Sequence, residues 1–408
     1  MKVLHIAFSD DAGAGLGMMN QHLALLKVGV DSKVLVAQKE SSLDTVYEMK
    51  RNYSIWSTNR FIFFLEKVAR RFGICFNKYD KMHHRVYQVR KKHLIPFSSP
   101  RSQYDVTRHP LFKEADVINL HFVSGFVDVE SFFSKVDKPV IWTMRDENPG
   151  LGGFHYRLTK QKYYKYFADL EEEMLDIKRK AIANSQQLHI VSLSQEMKEF
   201  CRSVDFLSNL PNTVIYNAIP SDVYRLLNKE EARKQLDLSG EDLVLSFICN
   251  DLMEERKGGK LVLKAIDILH NDRIKLLCVG NSREKIDHPN VIYLGYIDKP
   301  EKLSVIYAAS TAFITASDQE SFGKTTVEAM FCGTPVISMP VGIASEIIDD
   351  SNGILCSNRT PQEIAKAIQK LFATKYNATQ IRNGVMNKFA PERVAEQYMK
   401  LYTSMLKQ

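Results

Sequence analysis

Short apolar runs alternate with amphipathic segments along almost the whole chain. The first run, residues 2–8 (KVLHIAF), precedes a segment of helical periodicity, residues 18–30, and a second run, residues 32–38 (SKVLVAQ). Runs this short and continuously apolar are typical of parallel strands that are buried on both faces. The pattern predicts a βαβ unit, with the glycine-rich segment 9–17 (SDDAGAGLG) as the turn after the first strand.

The same alternation continues in two series, one before residue 220 and one from residue 242 onward. A chain of 408 residues is also too long for one ordinary core. We therefore predict the α/β class, with two Rossmann-like, doubly wound domains joined near residues 217–237.

Composition indicates where the protein is located and in which state its cysteines are. The chain is 45% hydrophobic and 25% charged, and no apolar run reaches the roughly 18 to 20 residues that span a bilayer. The N-terminal residues lack the long apolar stretch of a secretion signal, so we expect a cytoplasmic protein. Its six cysteines show no CxxC spacing, which favours reduced thiols over a disulfide framework or a zinc site.

Basic residues are concentrated between Lys50 and Arg101, where thirteen Lys and Arg face two acids, Glu66 and Asp80. Aromatic residues are interleaved among them. A solvated helix face and a contact with an anionic membrane surface both explain this composition. Because regular phosphate-binding and base-stacking modules are absent, we expect no nucleic-acid partner.

Three glycines, Gly13, Gly15 and Gly17, give the first turn the spacing GxGxG, one residue short of the dinucleotide fingerprint GxGxxG. The second strand ends in Ala37 and Gln38, without the acid that binds a ribose in that fingerprint. A loop that lets an anion or a sugar approach the backbone, a dinucleotide site and a structural turn all remain open.

Two carboxylates, Glu320 and Glu328, flank a predicted strand-to-helix crossing in ESFGKTTVEAMFCG. Ligands of open α/β sheets bind at that end of the strands, and the start of the helix at Gly323 offers N–H groups suited to a diphosphate. Each carboxylate can accept hydrogen bonds from a vicinal diol. Two diols flanking a diphosphate describe a nucleotide sugar, whereas taken alone the acids read as a solvated loop residue and a surface helix residue.

A second cationic helix start lies in ERKGGKLVLKAI, where Arg256 and Lys257 precede a helix that follows a strand. Lysine is a suitable point charge for phosphate. A charged surface turn is the alternative interpretation.

Taken in order, these motifs resemble the retaining glycosyltransferases of family 4 (group 1), which have the GT-B fold of two Rossmann-like domains facing an interdomain cleft. The resemblance runs through nearly the whole chain, including ADVINLHF, RKGGKLVLKA, VIYLGYI and ESFGKTTVEAMFCGTPVIS. The stretch KPVIWTMRDENPGLGGFHY is similar to a branch that builds bacterial surface polysaccharides. The resemblance implies an acceptor-side domain of residues 1–218 with 386–408 and a donor-binding domain of residues 219–385.

The resemblance also implies roles for individual residues. Glu320, His121 and Lys257 would be catalytic, with Glu320 at the transferred sugar, Lys257 at the diphosphate and His121 near the reaction centre. Arg145, Asp146 and His155 would lie on the acceptor side. The donor would contact the remaining set, with Glu328 at the ribose: Gly13, Gly15, Gly17, Arg256, Tyr296, Ile297, Ser321, Phe322, Gly323, Lys324, Thr325 and Glu328.

The sequence departs from the family pattern at three positions. Asp251 stands where an arginine is usual, Arg145 stands where a histidine is usual, and Gly342 is single where a pair of glycines is common. Asp251 puts the binding of the diphosphate in doubt, and Arg145 puts the acceptor side of the site in doubt.

The implied activity is a hexosyltransferase reaction that retains the anomeric configuration. It would use a UDP- or GDP-linked sugar, a hydroxyl acceptor on a glycan or lipid-linked glycan, no cofactor and no metal, in the cytoplasm or at the inner face of the membrane. A GT-B nucleotide-sugar epimerase and a catalytically silent subunit of a polysaccharide assembly are the alternatives, the latter because of Arg145 and Asp251.

Overall fold

The computed structural model describes residues 1–50, 77–283 and 286–407, together with Ile62, Phe64, Leu65, Val68 and Ala69. The basic segment 50–101 therefore lies partly outside the described residues. The chain divides into two compact units. Met1–Ile215 and Ala395–Gln408 form the first unit, and Tyr216–Val394 forms the second. The division after 215 falls three residues before the one predicted after 218, and the division after 394 falls nine residues beyond the one predicted after 385.

The first unit contains a parallel sheet of seven strands in the order β3-β2-β1-β4-β5-β6-β7. Its central strands are buried along their whole length because helices cover both faces of the sheet. The strands are β1 (Lys2–Ser9), β2 (Asp31–Gln38), β3 (Val46–Glu48), β4 (Val117–Leu120), β5 (Val140–Thr143), β6 (Leu188–Ser192) and β7 (Asn212–Val214).

Over the continuously described ranges of this unit, the α-helices before residue 215 are α1 (Ala12–Lys27), α2 (Lys78–His93), α3 (Pro110–Glu114), α4 (Val129–Lys135), α5 (Arg157–Ala183), α6 (Gln195–Ser203) and α7 (Asp205–Ser208). Strand order reverses at β1, which has β2 on one side and β4 on the other. Open sheets of this type bind ligands outside the carboxyl ends of the strands at such a reversal.

The glycine-rich segment after β1 is helical, so the prediction of a turn over residues 9–17 is wrong. Helix α1 begins at Ala12 and includes Gly13, Gly15 and Gly17. A Cβ on Gly15 would lie 2.8 Å from the Ser9 carbonyl oxygen. The low helix propensity of glycine is overridden here by tertiary packing, since only glycine lets the helix start this close to the end of β1.

A loop of residues 144–156, between β5 and α5, is held by buried charges. The Glu171 carboxylate, fully buried on α5, accepts the backbone N–H groups of Gly152 and Gly153 at 2.9 and 2.6 Å. The Lys178 ammonium donates to the Leu151 carbonyl at 2.7 Å and to the Asn148 side chain at 3.0 Å. Burial lowers the pKa of Lys178 to about 7, although the charges of Glu171 and Asp146 act to raise it.

The second unit contains a parallel sheet of six strands in the order β10-β9-β8-β11-β12-β13, which reverses at β8. The strands are β8 (Leu243–Asp251), β9 (Ile274–Asn281), β10 (Val291–Gly295), β11 (Ala312–Ile314), β12 (Val336–Ser338) and β13 (Gly353–Leu355). The helices are α8 (Lys229–Lys234), α9 (Gly259–Leu269), α10 (Pro300–Ala309), α11 (Lys324–Phe331), α12 (Ala344–Ile347), α13 (Pro361–Ala373) and α14 (Ala378–Phe389). The predicted α/β class is confirmed by both units.

The last helix, α15 (Pro391–Met405), belongs to the first unit from Ala395 onward. Its Tyr402 hydroxyl is buried, 2.8 Å from the Asn119 side chain and 3.0 Å from that of Gln21. These contacts join the C-terminal helix to β4 and α1.

Five cysteines in the described part of the chain are free thiols: Cys201, Cys249, Cys278, Cys332 and Cys356. Burial raises the pKa of Cys278 to about 12, which makes this thiol a packing group with little thiolate. Among the described residues, no helix has both the length and the apolar character needed to cross a bilayer.

We predict that Gly152→Ala destabilises the first unit, because the new Cβ would lie 2.0 Å from the backbone carbonyl oxygen of Glu171 in α5. Overpacking against backbone costs about 1–3 kcal/mol in the free energy of unfolding, which calorimetry would record as a lower Tm. Gly240→Ala is the control, since no atom lies within 4 Å of its Cβ position. Equal melting temperatures for both variants would contradict this view of the loop.

Candidate functional site

Two loops meet at the carboxyl edge of the second sheet, where the strand order reverses. After β8 the chain forms a short 3-10 helix, Glu255–Lys257, and turns at Gly258 with φ +74°. A Cβ on Gly258 would lie 2.5 Å from the Ala316 carbonyl oxygen in the loop after β11. Glycine at this position therefore brings the loop that carries Lys257 against the loop that carries Glu320.

The closest charged contact in this site joins Lys257 and Glu320, whose Nζ and Oε1 atoms are 2.5 Å apart. Arg256 lies 3.7 Å from the same carboxylate oxygen and donates to the Gln319 carbonyl at 2.9 Å. Each of the three charged side chains is 17 or 18% exposed. The edge of the sheet thus presents two cations and one carboxylate to solvent.

The charge state of Glu320 follows from these neighbours. Burial alone raises its pKa, but the charges of Lys257 and Arg256, with hydrogen bonds from Lys257 and Ser317, outweigh burial and hold the pKa below its ordinary value. The ionised carboxylate can only accept hydrogen bonds. It is suited to hydroxyl donors on a ligand and unsuited to general acid catalysis.

Glu328 lies in a different environment, on the buried side of α11. Its side chain is 3% exposed, accepts a hydrogen bond from the Tyr307 hydroxyl at 3.1 Å, and lies 3.5 Å from the Lys324 ammonium. Burial and then the charge of Glu328 raise the pKa of Tyr224 far above its ordinary value. The interpretation of Glu328 as a surface helix residue is wrong, because α11 packs this face against α10.

Helix α11 starts at Gly323, which has φ +90°. The preceding Phe322 is buried against Tyr216 and Phe389, and its carbonyl accepts the Ile343 N–H at 2.8 Å. Gly342 lies over this carbonyl, since a Cβ there would lie 2.7 Å from the oxygen. One glycine at position 342 is therefore sufficient for the close approach, and Phe322 fixes the helix start through packing.

The other predicted donor-side residues of the second unit lie around the same edge. Tyr296, just past the end of β10, is 57% exposed, and Ile297 is half-buried. Ser321 is buried and Thr325 is half-buried at the start of α11. Asp251, where the family has an arginine, accepts the Met253 N–H at 3.0 Å and so shapes the turn before Lys257.

Arg359 is a site residue that the sequence motifs do not reveal. It donates to the carbonyl oxygens of Ala316 and Glu255 at 2.7 and 2.6 Å, and it lies 3.5 Å from the Asp318 carboxylate. It thus ties together the two loops that carry Lys257 and Glu320. Arg359 follows these motifs by many residues, in a polar segment before α13, and no local pattern marks it.

In the first unit, His121 is part of a buried chain of imidazoles. Its Nε2 lies 2.9 Å from Nδ1 of His5, and its Nδ1 accepts from Nε of Arg145 at 3.1 Å. Burial, then the charges of Arg145 and His5, hold the pKa of His121 well below its ordinary value. Both ring nitrogens of this neutral side chain are occupied, so its predicted role at the donor sugar stays a prediction.

Arg145 and Asp146 lie side by side in the sequence but have different partners. Arg145 also donates to the Gln21 side chain at 3.2 Å, and burial lowers its pKa to about 10. Asp146 accepts from Nδ1 of His155 at 2.6 Å. Nε2 of His155 lies 2.8 Å from the hydroxyl of Ser98, a residue that no motif had marked.

The structure therefore brings together Lys257, Arg256 and Glu320 in the second unit, and His121 with Arg145 and Asp146 with His155 in the first. Within the described parts of the chain, no group of three His, Cys, Asp or Glu side chains is placed to hold a metal ion.

We predict that Lys257→Met raises the pKa of Glu320, because the main charge that opposes burial is removed. Glu320 with a depressed pKa adds stability above its unfolded pKa and loses it as pH falls. The loss of Tm caused by the substitution should therefore be larger at pH 7.5 than at pH 4.5.

Lys264→Met is the control, since this lysine is exposed on α9. Calorimetry at the two pH values measures the difference. A Tm loss for Lys257→Met that does not depend on pH would contradict the coupling.

Comparison with known proteins adds three findings. Residues 243–374 match the family model described as glycosyl transferases group 1. The O-antigen biosynthesis glycosyltransferase WclY of Escherichia coli is 24% identical over 217 residues, which are 50% of this chain and 58% of that protein. The chain spans about half the length of the curated relatives it matches.

Two solved structures share the fold over their full length. Sucrose-phosphate synthase from Thermosynechococcus elongatus is 17% identical with a TM-score of 0.69, and all of both chains is covered. HepE of Anabaena, crystallised with UDP, is 16% identical with a TM-score of 0.67, covering 99% of this chain and 100% of that one. The predicted GT-B fold and the resemblance to group 1 glycosyltransferases are confirmed.

Proposed function

We propose that this chain, whose residues 243–374 match the model of group 1 glycosyltransferases, transfers a sugar from a nucleotide diphospho-sugar to a hydroxyl group of a glycan acceptor. The observation that carries the proposal is the Lys257–Glu320 pair beside the start of α11. The pair supports the proposal because a cation suited to phosphate and a carboxylate suited to hydroxyl groups lie together at the edge where α/β sheets take their ligands.

The donor diphosphate would bind at Lys257, Arg256 and the N–H groups of α11 at Lys324 and Thr325. A helix start with a glycine at its N-cap lets phosphate oxygens approach these N–H groups. When the donor binds, the Lys257 ammonium would leave the Glu320 carboxylate and contact the diphosphate instead. Glu320, ionised and released from part of its ion pair, would accept hydrogen bonds from hydroxyls of the transferred sugar.

For the nucleotide we propose that Glu328 binds the ribose. Its Oε2 accepts from Tyr307, so Oε1, on the side of Lys324, is the oxygen for a ribose hydroxyl. Tyr296 and Ile297, at the end of β10, would contact the base. The match to a protein crystallised with UDP supports a uridine nucleotide as the first donor to test.

The proposed reaction retains the anomeric configuration. The bond from the anomeric carbon to the diphosphate breaks, the acceptor oxygen bonds to that carbon from the same face, and the acceptor proton moves to the departing phosphate. Lys257, Arg256 and the start of α11 stabilise the charge on the diphosphate as it leaves. Such preorganised donors are worth the most where charge develops in the transition state.

We further propose that the product belongs to a bacterial surface polysaccharide or a related glycoconjugate, and that the protein acts at the inner face of the membrane. The O-antigen relative supports the first point. The described part of the basic segment supports the second, since α2 ends in Arg90, Lys91, Lys92 and His93 before Leu94, which is 82% exposed.

We expect Glu320→Gln to reduce kcat for sugar transfer by about 100-fold or more, because the neutral amide binds the charged sugar transition state less well. The measurement is release of UDP from a UDP-sugar in the presence of acceptor. Glu231→Gln, an exposed substitution on α8, should leave the rate unchanged. If Glu320→Gln keeps most of the wild-type rate, the assignment of this site is wrong.

Binding to the membrane can be tested by flotation with phosphatidylglycerol vesicles. The wild type should float with them and remain unbound with phosphatidylcholine vesicles, because the attraction depends on anionic headgroups. Replacing Arg90, Lys91 and Lys92 with Ser should reduce the floated fraction. An unchanged fraction would rule out this end of α2 as the contact.

A further inference from the structure

Arg359 lies between β13 and α13, on a segment whose backbone is fixed on both sides. Before it, the Cys356 N–H donates to the Ser338 carbonyl at 2.8 Å, which extends the pairing of β13 with β12. After it, the Thr360 hydroxyl caps α13 by accepting the Glu363 N–H at 3.3 Å. The side chain of Arg359 therefore extends from an anchored part of the second unit.

The guanidinium of Arg359 reaches both loops of the candidate donor site. Its Nε donates to the Ala316 carbonyl at 2.7 Å, in the loop after β11. Its Nη2 donates to the Glu255 carbonyl at 2.6 Å and to the Arg256 carbonyl at 3.3 Å, in the loop after β8. Its Nη1 lies 3.5 Å from the Asp318 carboxylate. Because all three nitrogens contact the loops, this guanidinium is a bridge between them and is poorly suited to bind a phosphate itself.

The two loops also meet through side chains that the donor would engage. The Lys257 ammonium lies 2.5 Å from the Glu320 carboxylate, and Arg256 donates to the Gln319 carbonyl at 2.9 Å. Both cations are assigned to the diphosphate in the proposed function, so donor binding would open these two contacts. The hydrogen bonds of Arg359 involve neither side chain and would remain.

A backbone hydrogen bond lies beside the bridge. The Asp318 N–H donates to the Arg256 carbonyl at 3.0 Å, and the Arg359 guanidinium contacts the same carbonyl and the Asp318 carboxylate. The turn at Gly258, with φ +74°, comes two residues later. Arg359 therefore fixes the backbone just before this turn, from which the Lys257 side chain extends.

We infer that Arg359 is a positioning residue for donor binding, which keeps the loop of Lys257 in place while the ammonium moves from Glu320 to the diphosphate. The inference rests on the proposed function, because it requires that a diphosphate replaces the carboxylate at Lys257. A loop that is held in its binding conformation gives a higher affinity, since the ligand does not have to order it. Without the bridge, part of the binding free energy of the donor would be used to order this loop.

Two other roles for Arg359 predict different results. If its charge alone attracted the diphosphate, lysine would replace it. A lysine ammonium cannot reproduce the planar fork that donates to carbonyl oxygens on two loops, so the bridge predicts a loss with lysine. If Arg359 served stability alone, its removal would lower the Tm without changing the affinity for a nucleotide.

Calorimetric titration of the full chain with UDP and with GDP tests the inference, since a diphosphate is common to both nucleotides. We expect at least one of them to bind the wild type. Arg359→Met should raise the Kd for that nucleotide at least fivefold, and Arg359→Lys should raise it at least threefold. A wild-type Kd for Arg359→Lys would show that charge is sufficient and would overturn the inference. Arg359→Lys also keeps the test decisive if Arg359→Met does not fold.

Arg382→Met is the matched control, because Arg382 joins segments of the same unit in the same way. It donates to the carbonyl oxygens of Tyr224 at 2.7 Å and Ser221 at 2.9 Å, and to that of Phe331 at the C-terminal end of α11. The donor site lies at the other end of α11. Arg382→Met should therefore lower the Tm and leave the Kd within twofold of the wild-type value. An equal rise in Kd for both Met variants would indicate a general effect of stability and would overturn the inference.

The wild-type titration separates this inference from the proposed function. If a nucleotide binds the wild type and Arg359→Met binds it with the same Kd, the donor site stands and the positioning role of Arg359 is wrong. If neither UDP nor GDP binds the wild type, the proposed function itself is wrong, and the role of Arg359 falls with it.

Discussion

The approach of two loops at Gly258 sets the geometry of the candidate donor site. With a side chain at this position, the loop after β8 could not lie against the Ala316 carbonyl, since a Cβ would be 2.5 Å from that oxygen. The ammonium of Lys257 would then lose the carboxylate of Glu320, 2.5 Å away. Arg359 reinforces the same approach by donating to carbonyl oxygens on both loops.

Environment separates the two carboxylates of one short motif. Glu320, on the loop, pairs with cations and stays ionised and partly exposed. Glu328, eight residues later, is enclosed by Tyr307 and Lys324. The difference follows from helix geometry, because α11 turns Glu328 toward α10 while the loop before it remains at the edge of the sheet. Two identical side chains thereby differ in exposure and in hydrogen-bond partners.

In the first unit, buried charged side chains beneath a loop fix the positions of the polar groups. There, a loop of residues 144–156 is fixed from below by the buried Glu171 and Lys178. This support holds Asp146 and His155 at hydrogen-bonding distance and directs them to Ser98. Arg145, next in sequence, points into a separate chain with His121 and His5. The loop therefore directs Asp146 and His155 to the Ser98 hydroxyl and Arg145 to the buried imidazoles.

The sequence by itself determined the alternation of strands and helices, the two parallel sheets and the placement of Lys257 and Glu320 at one edge of a sheet, whereas their ion pair is seen only in the structure. These features depend on periodicity and on the rule that carboxyl ends of parallel strands share an edge. Only the tertiary structure decided that α1 begins before its glycines and that Glu328 and His121 are enclosed. It also decided that Arg359 contacts the loops that carry Lys257 and Glu320, and that Ser98 contacts His155. The physical reason is that the enclosing residues and hydrogen-bond partners are distant in the chain, such as Ser98 for His155 and Tyr307 for Glu328. Local sequence patterns do not predict such contacts.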